Sequence, residues 1–118
     1  MSLSGKTILV VEDEPLVAMM VEDMLIELGA IVIGPASTLA EALELAGQGG
    51  FDAALLDVNL NGERSHAVAE LLTARGTPFV YATGYGSAGE YQHDAEVLAK
   101  PYQGEQMEAA LMRAIAVA

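Results

Sequence analysis

Short apolar runs alternate along this chain with longer stretches of helical spacing. The runs are Thr7 to Val11 (TILVV), Ile31 to Ile33, Ala53 to Leu56 (AALL), Pro78 to Ala82 (PFVYA) and Val97 to Ala99. They are aliphatic or β-branched and lack polar alternation, which suits strands buried on both faces. Between them a first helix is predicted to begin near Pro15, where the missing N–H costs nothing. It would turn Val17, Met20, Val21, Met24 and Leu28 to the core and stop at Gly29. A second helix follows Ser37 or Thr38, either of which suits an N-cap, and ends at Gly49-Gly50. A third runs from about Ser65 to Arg75 and is closed by Gly76. The last begins near Gly104 and presents Met107, Ala110, Leu111, Ala114 and Ile115 to the core. Gly84, Gly86 and Gly89 crowd the stretch from Gly84 to Asp94, so a helix there is short or loosely held. Met1 to Leu3 are left out of this expectation. Strands alternating with helices imply an α/β fold, a parallel sheet covered on both sides. No repeat, linker or low-complexity segment interrupts it, so residues 1–118 are read as one domain with no output domain.

In open parallel sheets, sites form beyond the carboxyl ends of the strands. Here the first strand ends in Glu12-Asp13, the third in Asp57, the fourth in Thr83 and the fifth in Lys100-Pro101. The second ends in Gly34-Pro35 and offers nothing reactive. Neighbouring carboxylates repel one another unless something neutralises them. Mg²⁺ does so with few protein oxygens, because it keeps several waters. Asp13 and Asp57 suit direct ligation, Glu12 ligation through water, and the backbone carbonyl of Asn59 is a further candidate. A carboxylate such as Asp57 can also form an acyl phosphate. Lys100 and Thr83 then supply a cation and a hydroxyl for the transferring oxygens. The bond before Pro101 can be cis at modest cost, which would turn Lys100 back toward the pocket.

Composition narrows the partners. A hydrophobic fraction of 53% argues against disorder. The formal net charge is −12 with five lysines and arginines, which disfavours nucleic acid and anionic membrane surfaces. No apolar run is long enough to span a bilayer and no signal peptide is evident, so a cytoplasmic location is expected. The absence of cysteine excludes disulfides and thiolate metal sites. His66 and His93 are read as surface residues rather than ligands.

The segments VVEDE at 10–14, LLDVNLNG at 55–62, YATG at 81–84 and AKPY at 99–102 resemble, in order, the four signatures of the response-regulator receiver family. The resemblance covers essentially the whole chain. It implies a flavodoxin-like, doubly wound five-stranded sheet in the order 2-1-3-4-5. It also implies Mg²⁺-dependent phosphoryl transfer from a phosphohistidine on a sensor histidine kinase or a histidine phosphotransfer protein. By position, Asp57 is then the phosphoacceptor, Glu12 and Asp13 the acidic metal pair, Thr83 the switch hydroxyl and Lys100 the phosphate-binding lysine. Such a chain is a switch for protein contacts rather than a turnover enzyme. The alternatives are a phosphate sink or relay intermediate, and a pseudo-receiver that binds partners without phosphate.

The chain departs from the family at Val97, where receivers usually carry the switch aromatic. PFVYATGYG at 78–86 also resembles a subgroup marked by a Phe-Ala-Thr-Gly-hydrophobic-Tyr motif, which lacks that aromatic. Tyr81 replaces its Phe, Tyr85 fits the hydrophobic position after Gly84, and Gly86 replaces its final Tyr. Tyr85 is the candidate substitute in the switch. The family docks the phosphodonor on the first helix and partners or a twin on the last. Met19 and Ile26 lie off the core face of the first helix, and Ala109, Met112 and Ala116 off that of the last. A homodimer is one expected form of output.

Overall fold

All five apolar runs become strands, and their order fixes where the polar residues at their ends meet. The computed structural model describes residues 2–60, 62–83, 96–100 and 102–116. Gly84, Tyr85, Gly86, the rest of the stretch to Asp94 (His93 included) and Pro101 lie outside the described residues. The main strands are β1 (Thr7–Val11), β2 (Ile31–Ala36), β3 (Ala53–Asp57), β6 (Phe79–Thr83) and β7 (Glu96–Ala99). They form one parallel sheet in the order β2-β1-β3-β6-β7, which is the predicted 2-1-3-4-5 arrangement. A pair of two-residue strands, β4 (Asn59–Leu60) and β5 (Glu63–Arg64), forms a separate antiparallel hairpin.

The three central strands β1, β3 and β6 are buried on both faces, which explains their missing polar alternation. Ile8, Val10, Ala53, Leu55, Val80 and Ala82 face a core shared with α1 (Pro15–Glu27) and α4 (Gly104–Ala116). Leu9, Val11, Ala54, Leu56, Phe79 and Tyr81 face a second core with α2 (Leu39–Gln48) and α3 (His66–Ala74). A one-residue slip of any central strand would exchange the two sets, so the register is strongly specified.

The helix starts follow local chemistry. Pro15 opens α1. Thr38 is the cap of α2 and accepts from the Glu41 N–H at 3.1 Å, while the Ser37 hydroxyl donates to the Glu41 carboxylate at 2.9 Å. The buried face of α1 is rotated from the predicted one. Ala18, Val21 and Leu25 form its centre, Val17, Met24 and Leu28 pack at the margin, and Met20 is 57% exposed. A small alanine lets the helix approach the sheet closely, so Ala18 takes the place expected of Met20. Met19 and Ile26 are exposed as predicted. In α4, Met107, Ala110, Leu111 and Ala114 are buried, and Ile115 packs against them. Met112 also packs partly on that core rather than off it.

Three further features differ from expectation. β2 runs on to Ala36 through Gly34-Pro35, with a register shift after Leu9. Gly34 is required there, because its φ is +96° and a Cβ would lie 2.9 Å from the Val10 carbonyl. The β4–β5 hairpin is too short to leave a periodic signal. Leu3, set aside from the sequence, is fully buried against α1 and α4 residues, and its carbonyl accepts from Lys6 N–H at 2.9 Å.

Removing a buried leucine leaves a cavity as well as losing transfer energy. Leu3→Ala is therefore expected to lower unfolding free energy by about 2–4 kcal/mol in urea titrations. A change within experimental error would show that Leu3 is dispensable to the core.

Candidate functional site

The sheet order lines up the polar residues at its carboxyl edge. β1 delivers Glu12 and Asp13, β3 ends in Asp57, β6 ends in Thr83 and β7 leads into Lys100. Because β7 is the outer strand, Lys100 must reach back over β6 to meet the carboxylates. It does so, with Nζ 2.8 Å from Glu12 Oε1 and 3.1 Å from Asp57 Oδ2. Its own N–H donates to the Thr83 carbonyl at 2.8 Å, which ties the two strand ends together. All five predicted residues Glu12, Asp13, Asp57, Thr83 and Lys100 thus gather at one edge.

The Glu12 and Asp57 carboxylates each accept from a backbone N–H. The Glu12 N–H donates to the Ala36 carbonyl at 2.9 Å, and Glu12 Oε2 accepts from the Glu14 N–H at 3.1 Å. Asp57 Oδ1 accepts from the Asn59 N–H at 3.4 Å. Asn59 itself stands in β4 opposite Arg64, and its Oδ1 accepts from the Gly62 N–H at 2.8 Å. Gly62 has φ +89°, the left-handed turn that closes the hairpin. Glu12 and Asp57 are only 3% and 7% exposed, while Asp13 is half-buried.

Burial of charge dominates the electrostatics. Desolvation pushes the Asp57 carboxyl up to about 7, the Glu12 charge adds to this, and Lys100 opposes it. For Lys100, burial works to lower its pKa, but the Glu12 hydrogen bond and the nearby carboxylates hold it above its usual value. Burial, with the Glu12 and Asp57 charges behind it, also raises the Tyr102 phenol. Tyr102 had no role assigned from sequence beyond its place in AKPY; its exposure to the charges of this site follows only from the folded chain.

One oxygen each from Glu12, Asp13 and Asp57 lie within 4.8 Å of one another. Oxygens at neighbouring positions of an octahedral Mg²⁺ are about 3 Å apart, so side-chain rotation would have to draw these oxygens closer around the ion. The donors are all hard oxygens, as that cation prefers. Glu12 and Asp57 each use both oxygens within the chain, so a cation would compete with Lys100 for them.

The remaining residues fall around this cluster. The Thr83 hydroxyl is buried and has no hydrogen-bond partner among the described residues. Val97 is 39% exposed on β7, opposite Tyr81 in the register, so no aromatic ring occupies the usual switch position. Tyr81, within β6, is fully buried in the second core and packs edge-on to Phe79 (centroids 5.4 Å apart) and His66 (6.5 Å). His66 is therefore not the plain surface residue expected, and its Nε2 is enclosed.

Comparison with known proteins agrees with this geometry. A family model described as the response regulator receiver domain matches residues 8–112. Over 114 residues the chain is 35% identical to the phyllosphere-induced regulator PhyR of Methylorubrum extorquens, covering 92% of this chain and 43% of that protein. The chain therefore spans less than half the length of that relative. The solution structure of SdrG from Sphingomonas melonis is 45% identical, with a TM-score of 0.82 and coverage of 98% and 99% of the two chains. The receiver domain of a Pseudomonas aeruginosa sensor histidine kinase, with a magnesium ion coordinated in its active site cleft, is 26% identical. Its TM-score is 0.83, and the match covers 96% of this chain and 99% of that one.

A carboxyl that titrates near 7 when folded and near 3.8 when unfolded holds its proton longer in the native state. Stability attached to it is full below the lower value and lost as pH rises through the higher one. In metal-free buffer, Asp57→Asn should gain stability over wild type on going from pH 4 to pH 8. The gain is bounded at a few kcal/mol, since one pKa unit is worth about 1.4 kcal/mol. Paired thermal melts across that range test this. A difference that does not grow with pH would contradict the strained carboxylate.

Proposed function

The chain belongs to the response regulator receiver domain family, and from that premise we propose that it is a phosphorylation-controlled switch in which Asp57 takes the phosphoryl group. The observation that carries this reading is the Lys100 ammonium bridging Glu12 and Asp57, with the Thr83 hydroxyl buried one residue beyond in the register. Asp13 and Asp57 would hold Mg²⁺ directly, with Glu12 behind a water and the Asn59 carbonyl as a further donor. Mg²⁺ supplies neutralisation of the carboxylates and of the transferring oxygens.

The chain's own groups supply the rest. An Asp57 oxygen attacks phosphorus as the P–N bond of a phosphohistidine breaks, and the departing imidazole nitrogen recovers its electron pair. Lys100 turns from the carboxylates to a phosphoryl oxygen. The Thr83 hydroxyl donates to another and so gains the partner it lacks among the described residues. This changes the ends of β6 and β7 together, because the Lys100 N–H is bonded to the Thr83 carbonyl. With Val97 at the usual aromatic position, readout passes through some other residue, for which Tyr85 is the candidate.

The phosphodonor would be a sensor histidine kinase or a histidine phosphotransfer protein. The exposed Leu16, Met19 and Met20 on α1 lie just after Glu12 and Asp13 and suit its docking. Output would be a protein contact, with a twin or another partner on the α4 side. Among the described residues no helix is long and apolar enough to cross a membrane.

Intact mass after incubation with acetyl phosphate and Mg²⁺ checks the acceptor. Wild type should gain one phosphoryl group and Asp57→Asn none. Lys100→Ala should be slowed by roughly a hundredfold, the scale of losing one transition-state charge partner. Equal labelling of Asp57→Asn would sink the assignment.

A further inference from the structure

The chain carries five lysines and arginines against 17 aspartates and glutamates, and their placement is uneven. Lys6 precedes β1, and Arg113 pairs with Glu96 at the start of β7 (2.6 Å). Arg75 donates to the Gly47 carbonyl near the end of α2 (3.0 Å). Crossover helices run antiparallel to the strands they connect, so all three cations sit toward the amino edge of the sheet. Of the lysines and arginines, Lys100 and Arg64 belong to the carboxyl edge, Lys100 between Glu12 and Asp57 and Arg64 in the β4–β5 hairpin.

Arg64 is fixed near Asp57 from both sides. In the hairpin it stands opposite Asn59, whose N–H donates to Asp57 Oδ1. The next residue, Ser65, is buried and bonds the Val58 carbonyl through its N–H (3.0 Å) and its hydroxyl (3.1 Å). Leu60 is buried and anchors the other strand. Opposed residues in an antiparallel pair are about 5 Å apart and share a face. Arg64 is therefore within roughly 10 Å of Asp57 along the backbone, and both it and Asn59 are exposed.

Resting on the phosphoacceptor reading, we infer that Arg64 is a second cation of the site, drawing an anionic phosphodonor to Asp57 across an otherwise acidic edge. The same charge opposes a divalent cation at Glu12, Asp13 and Asp57. Its removal should thus move the two binding events in opposite directions, whereas a damaged hairpin would weaken both.

The test compares Arg64→Gln and Arg64→Glu with wild type, using Lys6→Gln at the far edge as the control. Initial phosphorylation by acetyl phosphate is followed at saturating Mg²⁺ and low ionic strength, and Mg²⁺ affinity by NMR titration. Arg64→Gln should phosphorylate about two- to fivefold more slowly and bind Mg²⁺ about twofold more tightly, the scale of one screened charge at that range. Arg64→Glu should exaggerate both changes, and high salt should shrink them. Lys6→Gln should match wild type. Unchanged rates in both Arg64 variants, or slower phosphorylation with weaker Mg²⁺ binding, would overturn the inference alone. A wild type that binds Mg²⁺ but takes no phosphate would overturn the phosphoacceptor reading and this inference with it.

Discussion

Three carboxylates share one end of a parallel sheet with a single ammonium group. Glu12 and Asp57 are almost wholly buried, and both lean on Lys100. Burying charges costs several kcal/mol per ion unless partners compensate. Glu12 and Asp57 share one lysine, and a divalent cation beside them would offset the remaining negative charge. The raised Asp57 carboxyl is a mark of that imbalance.

The scaffold exists to hold this imbalance in place. Central strands buried on both faces cannot slip by a residue without exchanging two apolar cores, so their ends stay in register. Lys100 begins on the outer strand and reaches the carboxylates only because β7 is hydrogen-bonded to β6 and its N–H is fixed to the Thr83 carbonyl. The backbone N–H groups of Glu14 and Asn59 orient the carboxylates from below. The β4–β5 hairpin, pinned by Ser65 and Leu60, then sets what stands at the mouth.

The strands were legible because aliphatic runs without polar alternation have few other uses, and Thr7–Val11 keeps its expected bounds. The site residues were legible because each sits at a strand end, where parallel sheets gather their chemistry. What was hidden depended on packing between distant elements. Ala18 looks neutral in sequence, yet its small size puts it at the centre of the α1 face in place of Met20. Leu3 gains its burial from helices that follow it by many residues. Two-residue strands carry no periodicity, so the hairpin that holds Arg64 near Asp57 was not visible. His66 is partly enclosed, with the Tyr81 ring beside it.

Three crowded carboxylates make the cluster a candidate cation site. Its most direct test is the melting temperature as Mg²⁺ is titrated at constant ionic strength, for wild type and Asp13→Asn. A ligand that binds only the folded state raises stability with the logarithm of its concentration once above its dissociation constant. The account predicts that rise in wild type and its loss in the variant. A wild type indifferent to Mg²⁺, or a variant that responds equally, would contradict it.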